Sequence, residues 1–496
     1  MIQPSDAPVV PTSGGRVRGL VRPGSTAFLG IPFAEPPVGD RRFAAPVRHA
    51  GWRGIRDASA YGATPQRTAL SEVTLIPEPS IPGDSTLNVN VFTPAPGDEA
   101  AKLPVLVYIH GGGFLAGSPA SPWYDGAAFN RDGVVTVSVS YRLGFDGFGW
   151  IEDAPNNRAI LDWLLALEWV RDNIAHFGGD PERVTIAGQS AGGGAVLSLL
   201  AVPRAEGLFH AAISLSGVVV DTPLDEAEAM GRRLASLGGV APTRAGFAGL
   251  DESTILDLQA KVAEPAPEQD GGEDPLGPLV AFASGRALNW GPVVDGDVYP
   301  SPLEEAYRSG ASAGIPLVLG ATDQEFSMAL ADQHDALAAV PASAILARTG
   351  RSPETVAAYL EGRQGDTADV IGQYITDMTF RTVALRLARA RQAAPTWLYR
   401  FAWVSPSQGS ACHCLDVPFF FDCLGSERVD HLAGENPPQS LADDVHGAAV
   451  RFIASGDPGW DRFEGEAAPA WVFDTPSHHE TNAYADVDPL LEGAAG

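Results

Sequence analysis

The sequence predicts an α/β protein in which helices flank a mostly parallel central sheet. Two β-branched, apolar runs typical of buried parallel strands occur at 104–109 (PVLVYI) and 134–139 (VVTVSV). Apolar residues at helical spacing for about five turns follow at 159–177. Because alternating strands and helices form a parallel sheet that must be covered on both faces, we expect helical layers on either side of it.

The remaining elements of the N-terminal half follow the same rules. Residues 25–46 begin with a short apolar strand and continue as a proline-rich loop. The alternation at 88–93 (NVNVFT) predicts a half-buried strand. RVTIA at 183–187 predicts another strand, and 191–200 predicts the helix after it.

The C-terminal half contains a long helical segment before the strands return. Between residues 221 and 289 the pattern is helical, with an acidic stretch rich in proline and glycine at 264–277. We interpret 221–289 as an insertion above the sheet. Strands are predicted at 315–319 and 397–404, and a helix at 441–453.

The composition indicates one large globular domain. Hydrophobic residues make up 45% of the 496 residues and charged residues 19%, which is enough for a sizeable core. We therefore expect a single domain over 1–496 that includes the insertion. The net charge of −28 disfavours binding to nucleic acid or anionic lipid, and solubility alone accounts for it. No apolar run is long enough to span a membrane.

The cysteines and the N-terminus predict a cytoplasmic location. Cys412, Cys414 and Cys423 form an odd, clustered set, which is a poor disulfide framework. Residues 1–20 lack the basic and apolar regions of an export signal. Cys412 and Cys414 flank His413, but such alternation directs neighbours to opposite sides, so we predict free thiols and no metal site.

A nucleophile motif occupies residues 188–192, which read G-Q-S-A-G. The motif follows the strand RVTIA and precedes a helix, and a sharp strand-to-helix turn forces the serine Oγ to project. The first N–H groups of that helix also favour developing negative charge. A serine N-cap beside packing glycines is the alternative, but this context makes Ser190 the predicted nucleophile.

A second motif, H-G-G-G-F, begins at His110, directly after the strand PVLVYI. Consecutive glycines let backbone N–H groups approach a ligand closely, as an oxyanion hole requires. We assign the donors to Gly112, Gly113 and Ala191. A flexible turn is the alternative for the glycines alone. His110 is expected to support the loop rather than to act as a base.

These motifs, with others along nearly the whole chain, resemble the type B carboxylesterase and cholinesterase-like family, and within it bacterial carboxylesterases. The matching segments are GIPFAEPPVGDRRF, HGGGF, YRLGFDGF, ALEWVRDNIAHFGGDPERVTIAGQSAGG and PVVDGDVYPSP. The resemblance implies an α/β-hydrolase fold, no required cofactor, and a triad in the order serine, glutamate, histidine. It also implies hydrolysis of small to medium carboxylic esters.

The resemblance places the acid and the base of the triad. His413 opens HCLDVPFFF, which is similar to the family's catalytic histidine segment. Glu325 aligns with the family acid, although Phe326 replaces the usual glycine and Asp323 is a rival two positions away. Asp416 is interpreted as a solvated or packing carboxylate. Gln189 replaces a glutamate common in the family, an exchange that we expect to leave the chemistry unchanged.

Aromatic residues near these motifs are candidates for an apolar pocket, with core packing as an equal alternative for each. The set is Phe114, Trp123, Tyr124, Phe145, Trp290 and Phe326. In this interpretation the insertion at 221–289 is a lid or pocket wall above the active site.

Three other interpretations stay open at this point. The same triad would serve a carbamate or amide hydrolase. Some relatives of this fold are binding proteins that have lost catalysis, although those lack triad residues. Acyl transfer to an acceptor other than water would need a site that excludes water. A small-molecule ester is the expected partner, and the chain is expected to be a monomer or a dimer.

Overall fold

The computed structural model describes residues 7–65, 75–263, 276–283, 288–392, 394–465 and 467–491. Within these ranges the centre of the molecule is an eleven-stranded sheet, beside a three-stranded and a two-stranded sheet. The strands are β1 (Val9–Thr12), β2 (Gly15–Arg18), β3 (Leu20–Arg22), β4 (Ser25–Pro32), β5 (Ile55–Asp57), β6 (Asn88–Thr93), β7 (Leu103–Ile109), β8 (Val135–Val139), β9 (Gly179–Gln189), β10 (Ala211–Leu215), β11 (Thr222–Pro223), β12 (Val293–Val294), β13 (Leu317–Thr322), β14 (Thr396–Phe401), β15 (Ala470–Phe473) and β16 (His478–Glu480).

The large sheet has the order β16-β15-β14-β13-β10-β9-β7-β8-β6-β4-β3. Every pair from β8 to β15 is parallel. The pairs β15–β16, β8–β6, β6–β4 and β4–β3 are antiparallel. The predicted sheet, parallel at its centre and flanked by helices, is therefore confirmed.

Helices connect the strands and cover both faces of the sheet. They are α1 (Ala127–Arg131), α2 (Gly144–Phe148), α3 (Arg158–Asn173), α4 (Ala191–Leu199), α5 (Leu224–Gly238), α6 (Arg244–Ala248), α7 (Glu252–Ala263), α8 (Gly277–Ala283), α9 (Leu303–Arg308), α10 (His334–Leu337), α11 (Ala342–Leu346), α12 (Pro353–Leu360), α13 (Thr367–Thr376), α14 (Thr382–Ala390), α15 (Val417–Phe420), α16 (Val429–Ala433), α17 (Gln439–Ser455) and α18 (Asp488–Leu491).

The two faces of β7 show why this sheet is covered twice. Side chains alternate along a strand, so successive residues enter different layers. Val105, Val107 and Ile109 lie in one apolar core cluster, whereas Leu106 and Tyr108 lie in the other. All five are buried, which explains why the strand reads as an uninterrupted apolar run.

The helix predicted at 159–177 matches α3 and the turn that follows it. The helix starts after Asn157, which has a left-handed φ of 54°. It ends at Asn173 and continues as a 3₁₀ turn to Phe177. Gly178 then takes a φ of 83°, which stops the helix and returns the chain to the sheet.

The segment 221–289 is helical where the structure describes it. Strands β11 and β12 pair with each other, so the chain leaves and re-enters the body of the protein at adjacent points. Helices α5 to α8 lie between these two strands. The acidic stretch predicted at 264–277 falls outside the described residues, apart from its last two positions.

None of the helices in the described ranges has both the length and the apolarity to cross a membrane. All three cysteines are free, as predicted, and Cys412 and Cys414 are buried.

Candidate active site

Ser190 sits at a sharp turn between β9 and α4. Its φ of 59° and ψ of −125° are unusual for a residue with a side chain and mark a strained turn. The turn is crowded because a Cβ at Gly188 would lie 2.3 Å from the Gly192 carbonyl oxygen. A Cβ at Gly192 would lie 2.0 Å from the Ile109 carbonyl oxygen. Both glycines of the motif are therefore needed for the strand and the helix to meet at Ser190.

The glycine loop after β7 turns through left-handed conformations beside this serine. Gly112 has a φ of 112° and Gly113 a φ of 61°. The Gly112 carbonyl accepts from Ala116 N at 2.8 Å, so that oxygen points into its own loop. Among the described residues, no acceptor bonds to the N–H of Gly112 or Gly113. Ala191 begins α4, so its N–H has no intrahelical acceptor.

Glu325 and His413 form a buried pair. The carboxylate Oε2 of Glu325 accepts a short hydrogen bond from Nδ1 of His413. Its other oxygen accepts from Thr322 N at 2.8 Å, and the His413 N–H donates to the Glu325 carbonyl at 3.0 Å. Glu325 is fully buried. The loop after β13 and the loop after β14 are therefore joined through both the main chain and the side chains.

Asp323, the rival acid, is engaged elsewhere. Its two oxygens accept from Nε and Nη2 of Arg400, at 2.9 and 2.7 Å. Arg400 also contacts Glu480, so this carboxylate belongs to an ion-pair network at the end of the sheet. Of the two acids, Glu325 is the one in contact with His413.

Aromatic rings pack against the His413 imidazole. Phe326 stacks on it with ring centres 5.0 Å apart and an interplanar angle of 27°. Phe380 packs at 5.3 Å. Burial lowers the pKa of His413, but Cys414 and Glu325 raise it more, so its pKa lies well above the ordinary imidazole value.

Asp416, three positions after His413, is buried. Its Oδ2 accepts from the hydroxyl of Tyr399 at 3.0 Å, and Oδ1 has no partner among the described residues. Burial, reinforced by the nearby Glu325, raises the pKa of Asp416 to about 7. The interpretation of Asp416 as a solvated carboxylate is wrong, and the packing alternative is the one that the structure supports.

The candidate pocket residues occupy three different environments. Phe114 is fully buried against Phe148 and Trp163 in the main core. Phe145 and Trp290 pack edge to face at 5.8 Å and belong to a separate apolar cluster with residues of the insertion. Trp123 and Tyr124 lie in the core on the other face of the sheet. Phe326 alone of the set touches His413.

His110 lies beside the glycine loop, where it was predicted. Its ring stacks on Tyr141 at 4.6 Å. Its Nδ1 lies 2.8 Å from the Gly111 carbonyl oxygen. These contacts fit a support for the loop.

Two residues that contact His413, Phe380 and Gln189, were missed by the sequence analysis. Phe380 lies in a helical region of five residues after α13 that was not predicted, although the apolar spacing at 370–375 signals a helix there. Gln189 was noted only as a substitution. Its amide Nε2 lies 3.2 Å from Nε2 of His413, which places the base beside the turn that carries Ser190.

Comparisons with known proteins found similar sequences and structures. The model of the carboxylesterase family matches residues 6–485. The chain is 33% identical to para-nitrobenzyl esterase of Bacillus subtilis over 94% of this chain and 95% of that protein. It is 32% identical to phenmedipham hydrolase of Pseudarthrobacter oxydans over 94% and 92%. A carboxylesterase of Geobacillus stearothermophilus superposes with a TM-score of 0.81 at 32% identity, over 97% of this chain and 98% of that one.

Proposed function

The chain belongs to the carboxylesterase family, and from that membership we propose that Ser190, His413 and Glu325 are its catalytic triad. The protein is a serine hydrolase of the carboxylesterase class with the α/β-hydrolase fold. One observation carries the assignment of residues. The buried Glu325–His413 pair lies against Gln189, the residue that immediately precedes Ser190.

The chemistry follows from the proton inventory of the three side chains. A serine hydroxyl is protonated at neutral pH, so a base must remove its proton as Oγ attacks the ester carbonyl. Glu325 accepts a hydrogen bond from the Nδ1–H group of His413, so the ring proton stays on Nδ1 and Nε2 keeps a lone pair that can take the Ser190 proton. The imidazolium then protonates the leaving alcohol. In the second half of the reaction His413 removes a proton from water as the water attacks the acyl-enzyme, and it returns a proton to Ser190 Oγ as the acid product leaves.

Backbone donors would stabilise the charge that develops on the carbonyl oxygen. The N–H groups of Gly112, Gly113 and Ala191 are the proposed oxyanion hole. The glycine loop and the start of α4 support this assignment, because both leave N–H groups near Ser190 that have no acceptor within the part of the chain that the structure describes. One such donor contributes about two to three orders of magnitude in rate.

We propose that the substrates are small to medium esters with apolar or aromatic groups. Phe145, Trp290 and Phe326 supply aromatic surface.

A carbamate or amide hydrolase is the second candidate. The observation that favours it is the relative named phenmedipham hydrolase, because phenmedipham is a carbamate. The same nucleophile, base and oxyanion hole serve both reactions, since each passes through a tetrahedral oxyanion.

The single domain over 1–496 and the role of the insertion are also proposals. Gln259 of α7 accepts a hydrogen bond from the Phe145 N–H at 2.8 Å, so the insertion packs on the proposed pocket. This contact supports 221–289 as a pocket wall. We further propose a cytoplasmic location, which the three free cysteines support.

The proposed function is tested by hydrolysis of short and medium para-nitrophenyl esters and of matched carbamates. Wild type, Ser190→Ala and Ser198→Ala are compared. Ser198 is buried in the same helix and donates to the Gly194 carbonyl, so it controls for loss of a serine in α4. Turnover should vanish in Ser190→Ala and persist in Ser198→Ala. Full activity of Ser190→Ala would overturn the assignment of the nucleophile.

A further inference from the structure

The side chain of Gln189 fills the space between the base and the glycine loop. Gln189 is the last residue of β9 and is 1% exposed. Its Nε2 lies 3.2 Å from Nε2 of His413. Its Oε1 faces Gly111, where an added Cβ would lie 3.0 Å away from that oxygen. A buried amide thus contacts the nitrogen that must accept the serine proton.

The direction of this hydrogen bond follows from the other side of the ring. The Glu325 carboxylate can only accept, so the proton of neutral His413 is on Nδ1. Nε2 then carries a lone pair, and the amide NH₂ of Gln189 is the group that can donate to it. With the amide reversed, two acceptors would face each other.

We propose that Gln189 is a positioning residue that acts through His413, its amide donating to Nε2 and thereby favouring the neutral imidazole in the free enzyme. The inference rests on the proposed triad. It also changes the expectation from the sequence, since a glutamate at this position would be unable to donate and would favour the imidazolium. The exchange of glutamate for glutamine therefore alters the protonation of the base.

The groups around His413 make this donor consequential. The titratable groups that face the ring are Glu325 from the loop after β13, and Cys414 and Asp416 from the histidine's own loop. Each favours positive charge on the imidazole when it is ionised. Phe326 and Phe380 add apolar cover without a hydrogen bond to Nε2. The Gln189 amide opposes these acidic groups, because a hydrogen bond donated to the lone pair is lost when Nε2 is protonated.

The expected effect is a shift in the acid limb of the pH profile. A net hydrogen bond of about 1 kcal/mol, at about 1.4 kcal/mol per pH unit, corresponds to about half to one unit. In Gln189→Met the new side chain has a similar shape and no N–H donor, so the acid limb should move to higher pH by about that amount. Gln189→Glu replaces the donor with a charge, so the limb should move up by more than about one unit.

The test measures kcat/KM and the rate of covalent inactivation by a phosphonate between pH 5 and 9, a range of about four units around the histidine pKa. Both quantities report the free enzyme. Asn173→Leu is the matched control, because Asn173 is a buried amide at the end of α3 that donates to the Trp169 carbonyl, accepts from the Ser13 N–H and does not contact His413. Its limb should coincide with that of wild type.

Coinciding limbs in wild type and Gln189→Met would overturn the proposal, even if the variant had a lower rate at every pH. If the methionine variant does not fold, Gln189→Asn decides the question, since it withdraws the amide by one methylene and should shift the limb in the same direction. Failure of the triad is distinguishable. Full turnover or phosphonate labelling of Ser190→Ala would refute the nucleophile, whereas unshifted limbs with a Ser190→Ala variant that has lost its activity would refute only the role of Gln189.

Discussion

Replacing Glu325 by glutamine should nearly abolish turnover, whereas the matching acid-to-amide change at Asp323 should not. The two acids are two positions apart on one loop, but only Glu325 contacts His413, while Asp323 pairs with Arg400. In Glu325→Gln the new side chain would keep the shape of the glutamate. Its amide would donate to Nδ1 of His413, so the ring proton would move to Nε2 and block acceptance of the serine proton.

The magnitude follows from the loss of the correct tautomer. In a buried triad this loss costs about four orders of magnitude in kcat, or about 5.5 kcal/mol of transition-state stabilisation. Glu325 is fully buried, so water cannot replace the missing carboxylate. For Asp323→Asn we expect a fall in kcat below about tenfold, with a loss of stability of about 1–3 kcal/mol because Arg400 is left less well paired.

Steady-state hydrolysis of a para-nitrophenyl ester measures kcat for both variants, and thermal unfolding measures their stability. Wild-type affinity for the substrate should be largely kept in Glu325→Gln, because the acid acts on the base and not on the ester. A Glu325→Gln enzyme within tenfold of wild type, or an inactive and well-folded Asp323→Asn enzyme, would contradict the assignment of Glu325 as the acid that orients His413.

Three further predictions concern the oxyanion hole, the pH profile and the core. Gly112→Ala should lower kcat by about 100-fold, because a Cβ would lie 2.3 Å from the Ala116 carbonyl oxygen and displace the loop that carries the N–H donors. Phosphonate labelling should slow in parallel, and an unchanged labelling rate would exclude this loop from the oxyanion hole. Because the pKa of His413 is raised, the protonated base should make kcat/KM fall at acid pH, with the midpoint of this fall above about pH 6.5 in a series of buffers. A midpoint below that value would contradict the raised pKa. Asp377→Asn should lower the free energy of unfolding by about 3–5 kcal/mol in chemical denaturation, because it removes the fully buried carboxylate that pairs with the buried Arg381 at 2.8 Å. A loss under about 1 kcal/mol would mean that this ion pair does not stabilise the fold.

The strands beside the active site could be predicted because their sequences are strong local signals. PVLVYI and RVTIA are β-branched runs bounded by turn residues, and they match β7 and β9. Strand β10 was not predicted. Its sequence, AAISL, is short and rich in alanine, and it becomes a strand because it pairs in parallel between β9 and β13.

The residues of the active site also fall into two groups, those that a local motif predicts and those that only the folded chain brings together. Ser190 and the glycine loop are continuous motifs whose geometry is encoded locally, as the crowding at Gly192 shows. The contact between Glu325 and His413 spans 88 positions, and that between Gln189 and His413 spans 224. Tertiary folding alone creates such contacts, so residues alone left Asp323 as a rival and Gln189 without a role.

The most direct test of the central claim is to locate the adduct of an active-site-directed phosphonate by peptide mass spectrometry. We expect one phosphonyl group per chain on Ser190, formed in step with the loss of esterase activity. Ser190→Ala should form no adduct. An adduct on a different residue, or loss of activity without modification of Ser190, would contradict the claim that this serine is the nucleophile.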